Sequence, residues 1–302
     1  MPVLCPTCRQ ALDQQTLSCA NGHQFTRTDG VLALLSDPFG QALRNFVGTV
    51  ARFRADQGLR LPEPAVYEAL PFAPQVRANG EWRWRCADVN NILRLLAGRE
   101  ARTILDIGAW NGWLSHQLAK RGHQVTAIDF FADEYDGLGA KKFYSTAWQA
   151  IQMDLADLSI LDQCFDVVIV NHGLHFFPQP LAHVAAAEQR VAPGGLLIVI
   201  GLQFYQDPAL RIQQLAARQA DFRNRYGQEM FLRPTKGYLD MADKVKLAEM
   251  GLRLKPYRHF WLRNLIARLR PTWPLFYFGW KARRRIHSMP YSGGETFVTL
   301  NE

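Results

Sequence analysis

The sequence predicts an α/β chain: a doubly wound, mostly parallel sheet with helices on both faces, led by a small cysteine-rich head. Three observations carry this. Apolar strand-like runs alternate with helical stretches between about residues 103 and 201. Three of the five cysteines fall in the first twenty residues, in paired spacing. The net charge of +8 is local: residues 253–285 hold ten Lys or Arg and no Asp or Glu, so the remainder is slightly acidic.

With 302 residues there is room for one α/β core and an appendage, because single cores stop growing near ~250 residues. Composition and period divide the chain into a head (1–35), a helical connector or cap (36–97) and a main domain (98–302), with insertions at about 203–250 and 261–290. The first strand is read at 103–107 and runs into Gly108, followed by a helix at 113–121 that Gly122 ends. Further strands are read at 125–129, 150–154, 165–170 and 196–201, with a helix at 182–191 between the last two. A sixth strand is expected at 252–260 and a seventh, antiparallel, at 295–300. On that reading, segment 261–290 leaves the C-terminal end of strand six and overhangs the edge of the sheet where open α/β sheets bind ligands.

The turn after the first strand carries Asp106, Gly108, Trp110 and Gly112. Glycine there allows a sharp turn and close approach of backbone to a ligand. Asp129 ends the next strand 23 residues after Asp106, the place for an acid that accepts hydrogen bonds from ribose hydroxyls. Asp154 ends the third strand, where a carboxylate can receive an adenine amino group. These residues, with the turn Val191-Ala-Pro193-Gly194-Gly195, resemble the motifs of class I S-adenosylmethionine (SAM) dependent methyltransferases, of the type 11 kind, closely over about 98–202. The resemblance implies a Rossmann-like seven-stranded sheet, SAM as cofactor, and Asp106, Gly108, Trp110, Gly112, Asp129, Asp154 and Asn171 as its binding residues. More narrowly, the run from Asp106 to Ser115 followed by Asp136-Gly-Leu-Gly-Ala140 is similar to a bacterial group of zinc-ribbon methyltransferases. Trp110 stands where the usual loop has its middle glycine. A dinucleotide site is disfavoured, because it would want glycine at both 110 and 113.

In the head, Cys5 and Cys8 stand three apart and Cys19 and His23 four apart, so each pair presents two ligands from one tight turn. Two such turns close a tetrahedral zinc site. With four protein ligands no position stays open, and the metal is expected to be structural; so short a segment relies on it to fold. The pattern resembles the ribbon of bacterial ribosomal-RNA guanine-N1 methyltransferases. Cys86 and Cys164 are expected as buried, inert thiols.

After the fourth strand come Asn171, His172 and His175. His172 is the candidate general base, needed where the accepting atom carries a proton that leaves early. The chain lacks the Asn-Pro-Pro-Tyr type tetrapeptide of enzymes that methylate exocyclic amino groups. The acceptor is therefore expected to be a small molecule or lipid-like metabolite. The alternatives are an rRNA or tRNA base, and a binding module that kept the fold and lost turnover. The basic, aromatic segment 253–285 suits RNA through phosphates and stacked bases, or a membrane surface. The longest strand-like apolar run is far short of a membrane span, and the N-terminus does not read as a signal peptide, so a cytoplasmic location is expected.

Overall fold

The structure, a computed structural model, describes residues 2–61, 63–98 and 100–284. In chain order its elements are β1 (Thr26–Thr28), β2 (Val31–Leu34), α1 (Asp37–Asp56), α2 (Gly80–Leu96), β3 (Thr103–Ile107), α3 (Trp113–Ala119), β4 (Gln124–Asp129), β5 (Gln149–Met153), β6 (Phe165–Asn171), α4 (Pro180–Gln189), β7 (Val191–Tyr205), α5 (Pro208–Tyr226), β8 (Leu239–Asp240), α6 (Met241–Glu249), β9 (Arg253–Pro256), α7 (Trp261–Leu269) and β10 (Leu275–Ala282). The strands form one sheet in the order β1-β2-β5-β4-β3-β6-β7-β10-β9, with the short β8 beside β7. From β2 to β7 neighbours pair in parallel; β10 pairs antiparallel with both β7 and β9.

The parallel centre needs apolar residues on both faces, because helices cover each side. Alternate residues of β3, β6 and β7 divide accordingly: Ile104, Val167 and Ile198 join one buried cluster, and Leu105, Val168 and Leu197 the other. The chain builds outward from β3 to β5, then returns to lay β6 on the other side of β3. That reversal opens a crevice at the C-terminal ends of β3 and β6.

Two expectations about the C-terminal third are corrected. The antiparallel strand inserted beside β7 is β10 at Leu275–Ala282, inside the segment read as a helical insertion. Among the described residues of that segment only the nine of α7 are helical, after a turn at Arg258–Phe260 that cuts the sixth strand to four residues. The flanking arginines drew that segment toward a solvated reading, whereas Leu275, Phe276 and Phe278 are apolar, strand-favouring residues and are buried. The strand expected at 295–300 lies outside the described residues. Cys164 is exposed and Cys86 half-buried, its thiol donating to the Pro71 carbonyl at 3.2 Å, so neither is the enclosed thiol expected.

The head is built onto the main sheet. β2 pairs in parallel with β5 from Val31–Ala150 to Leu34–Met153, and Val3, Leu12, Leu32 and Leu34 enter the same apolar cluster as Met153 and Leu161. Leu4 N donates to Ile160 O at 2.8 Å, and Arg9 reaches Asp157 at 2.7 Å. The connector is fixed from inside: Tyr67, fully buried, donates to Tyr135 O at 2.8 Å, and Gln117 Nε2 donates to Leu70 O at 2.6 Å. Its helix α2 starts at Asn79, whose side chain accepts from Glu81 N at 2.8 Å, satisfying one orphan amide of the first turn. The buried stripe of α2 runs through Trp84, Asp88, Ile92 and Leu96, with Arg85 and Val89 beside it. Two of those core-facing positions are charged, which marks the stripe as more than packing.

Candidate active site

The loop after β3 turns three times through left-handed backbone, at Gly108 (φ 77°), Trp110 (φ 50°) and Gly112 (φ 81°). Each glycine has its own reason. A Cβ on Gly108 would stand 3.2 Å from the Asn171 carbonyl oxygen, and one on Gly112 would stand 2.5 Å from the Trp148 indole. Trp110 is not a glycine, so a specific contact must hold its unfavourable φ. Its amide donates to Asp129 Oδ2 at 2.7 Å, and its ring stacks on Trp82 with centroids 5.6 Å apart. The guanidinium groups of Arg54 and Arg85 lie 4.7 and 4.8 Å from that ring.

Asp129 also accepts from Phe131 N at 2.8 Å and is almost fully buried at the cavity wall. Burial pushes its carboxyl up to about 6, against the pull of the amides it accepts from. Each carboxylate oxygen keeps a further acceptor position. Asp106 is fully buried behind the loop and does not reach the cavity. It accepts from Ser115 Oγ at 2.7 Å and from Asn171 Nδ2 at 3.0 Å, tying α3 and β6 to the end of β3, and burial raises it to about 6. Asp154 does face the cavity and is paired with Arg233, whose Nη1 donates to Oδ1 at 2.9 Å.

His172 follows β6 in left-handed backbone (φ 54°). Its Nε2 lies 2.7 Å from Asp88 Oδ2, and Asp88 is fully buried on α2. The same carboxylate accepts from the Tyr257 hydroxyl, which in turn accepts from Gly201 N at 3.2 Å. Burial, with Asp88 beside it, holds the Tyr257 phenol far above its ordinary range and so protonated. Room for the imidazole comes from Gly201 (φ 75°), where a Cβ would stand 2.4 Å from His172 Nδ1. The pairing of β7 with β10 slips there: Leu202 faces Tyr277 and Val199 faces Gly279, a bulge beside the site. His175 is held at about 4, chiefly by its enclosure and then by His172 and Arg211, and so is uncharged at neutral pH.

A cavity of about 950 Å³ opens over these strand ends. It collects Gly108, Trp110, Asp129, Asp154, Asn171 and His172 from the sheet side, while Asp106 and Gly112 stand behind its wall. Its far walls are apolar: Phe39, Phe46 and Val50 of α1, Phe222 of α5, and Phe231. Sequence reasoning missed Arg85, Asp88 and Tyr257. The available signal was the pair of charged residues on the apolar stripe of α2.

At residues 105–199 the chain matches the family described as a methyltransferase domain. A ubiquinone biosynthesis O-methyltransferase of Xanthomonas euvesicatoria pv. vesicatoria is 30% identical over 191 residues, 61% of this chain and 70% of that protein. The chain belongs to the SAM-dependent methyltransferases. The ubiquinone biosynthesis O-methyltransferase of Xanthomonas oryzae pv. oryzae is 28% identical over the same share of each chain. Among solved structures, the plantazolicin methyltransferase BpumL, in complex with a triazolic desmethylPZN analog and SAH, has a TM-score of 0.46 and 14% identity. It covers 82% of this chain and 99% of that one. The matched span runs from within β3, through β4, β5 and β6, into β7.

Gly201→Ala in this methyltransferase sets a methyl against the His172 ring in a backbone region that suits glycine. It is expected to cost about 1–3 kcal/mol in denaturant unfolding, and an unchanged midpoint would show that the ring does not occupy that space.

Proposed function

We propose that this methyltransferase moves a methyl group from SAM to an oxygen of a small, largely apolar acceptor held in the 950 Å³ cavity. The observation that carries the reading is one cavity with a polar, strand-end floor and aromatic and aliphatic far walls. The polar floor suits a nucleoside cofactor and the far walls suit a hydrophobic acceptor. Oxygen as the accepting atom is in keeping with the O-methyltransferase names of the relatives.

The residues present fit SAM. Arg85 is nine-tenths buried, and its Nε and Nη1 have no hydrogen-bond partner among the described residues. Those two donors, on a guanidinium 4.8 Å from the Trp110 ring, suit the carboxylate of the amino-acid end. Glu81, held below the usual carboxylate range by Arg85 and Arg54 although burial opposes it, suits the ammonium. Asp129 has acceptor capacity for ribose hydroxyls, and Asp154 for the adenine edge, with Arg233 fixing its plane. Asn171 and Gly108 line the floor between them. When bound, SAM supplies an electrophilic methyl group on a sulfonium.

On this reading His172 takes the proton from an acceptor hydroxyl. Its Nε2–H donates to Asp88, which fixes the ring, and Nδ1 is the nitrogen left to accept. Asp88 and Tyr257 are positioning residues: they touch the imidazole or its partner and not the acceptor. The aliphatic and aromatic walls exclude water from the transfer.

The head is read as a structural zinc site. The ligand atoms of Cys5, Cys8, Cys19 and His23 lie within 4.8 Å of one another, and Cys8 Sγ is 3.5 Å from Cys19 Sγ. Tetrahedral Zn–S bonds of ~2.3 Å place sulfurs about 3.8 Å apart, close to this arrangement. All four positions are filled by protein, so the metal has no place in the transfer.

Titration calorimetry with SAM and S-adenosylhomocysteine is expected to show binding to both. Arg85→Gln should weaken SAM roughly tenfold or more, as loss of hydrogen bonds to a charged group does. No heat with either ligand from folded wild-type protein would remove the enzyme reading. In a labelled-methyl screen of cell extracts, the label should enter an organic-soluble, base-stable product. His172→Ala should lower its rate by about 10²–10⁴ with SAM affinity kept, and label in RNA instead would replace the acceptor class. One equivalent of zinc should copurify and be absent from a Cys5→Ser, Cys8→Ser variant; full metal content in that variant would refute the site.

A further inference from the structure

Exposed apolar side chains on this chain are concentrated and not scattered. Of the eight large hydrophobic residues exposed among the described residues, four lie on the nine-residue helix α7: Trp261 (65% exposed), Leu262 (52%), Leu265 (49%) and Leu269 (83%). Their spacing places them on one side of the helix. The opposite side is fixed. Asn264 is buried, accepts from Phe276 N at 2.8 Å and donates to Phe276 O at 3.1 Å, while Ala267 is fully buried and its carbonyl accepts from Gln206 Nε2 at 2.5 Å. With β10 and the start of α5 holding that side, the apolar row has only one direction to face, which is outward.

Cations border the row. Arg258, Arg263, Arg268 and Arg270 are exposed, and among the described residues none of them takes part in an ion pair with an acid. Arg263 lies over the rings of Trp273 and Phe276, 5.6 and 4.8 Å from their centroids. An apolar face bordered by arginines, with a tryptophan at one end, is the composition of a helix that lies in the plane of an anionic bilayer. Nucleic acid fits less well, since it would stack successive bases on exposed rings, whereas Trp261 is the one Phe, Tyr or Trp exposed among the described residues of this segment, and Phe276 and Phe278 are core residues.

The helix also stands at the cavity. His259 and Phe260, just before it, and Arg263 within it line the cavity together with His172 and Trp84. We infer that α7 is a membrane-docking helix, which seats the cavity mouth on an anionic phospholipid surface so that a lipid-dissolved acceptor enters without crossing water. The docking goes beyond the catalytic reading, and its test uses neither SAM nor methyl transfer, so the two can fail separately.

The purified full chain is mixed with vesicles of phosphatidylcholine alone, or of phosphatidylcholine with phosphatidylglycerol, and sedimented. Wild type is expected to partition onto the anionic vesicles at least about tenfold better than onto the neutral ones, and to be released by high salt. The triple variant Leu262→Ser, Leu265→Ser, Leu269→Ser should lose that partition by about tenfold or more, as should Arg258→Gln, Arg268→Gln, Arg270→Gln. None of these residues lines the cavity, and an unchanged far-UV circular dichroism spectrum and unfolding midpoint certify the fold of each variant. Wild type that stays in the supernatant with anionic vesicles, or a triple leucine variant that sediments like wild type, overturns the proposal. A dimer in sedimentation velocity that the leucine variant dissolves, without vesicle binding, overturns it in favour of a second copy of the chain. RNA binding lost in the same variants, again without vesicle binding, does so in favour of nucleic acid.

Discussion

A carboxylate with no access to water holds the site together. Asp88 sits on α2 in the connector, 84 residues before His172 and 169 before Tyr257, and it binds both side chains. Burying a lone carboxylate is costly, and removing one partner from a buried polar pair commonly costs about 3–5 kcal/mol. The requirement that Asp88 be satisfied therefore fixes where α2 can dock. It must lie where the end of β6 and the residue after β9 meet. Once α2 is there, Trp84 packs edge-on against His172, Tyr257 and Phe276, and Arg85 and Trp82 come down on Trp110. The cap, His172 and the loop after β3 are thus parts of one arrangement.

The same logic explains how a tryptophan is tolerated in a loop that ordinarily depends on glycine. Left-handed backbone at a residue with a Cβ costs on the order of 1–3 kcal/mol unless its surroundings determine it. Here the amide is fixed by Asp129, and the indole by a ring beneath and two guanidinium groups beside it. The indole is wall and not obstruction, since the cavity continues past it to Asp129, Asp154 and His172.

The sequence made the centre of this chain readable because parallel strands buried on both faces are short apolar runs, and turns at their ends carry glycine and acids in order. β3 to β6 fall within about a residue of where pattern alone places them, and Cys5, Cys8, Cys19 and His23, paired by spacing within a few residues, do come together. What pattern could not show was anything made by residues distant in sequence. Asp88 and Arg233 meet His172 and Asp154 across 84 and 79 residues of chain, and Arg85 meets Trp110 from a different element, so nothing local distinguishes them from solvated charges except the apolar stripe in which Asp88 and Arg85 are set. β10 was obscured for a different reason: arginines at 268, 270 and 283 frame it, and charge was given more weight than the β-favouring Leu275, Phe276, Tyr277 and Phe278 between them. Acids expected to share one role also divided, since Asp129 and Asp154 face the cavity while Asp106 is a bolt behind it.

The way the head joins the sheet bears on colloidal behaviour. Without β2, strand β5 would be the sheet's outer edge, with unpaired amides and carbonyls along Gln149–Met153 ready to receive a strand from another molecule. The head covers that edge and presents in its place β1, three residues of threonine and arginine, too short and too polar to template further pairing. On the structural-metal reading proposed above, an ion held by Cys5, Cys8, Cys19 and His23 would keep that cover in place, so the chain's solubility would follow the supply of the ion.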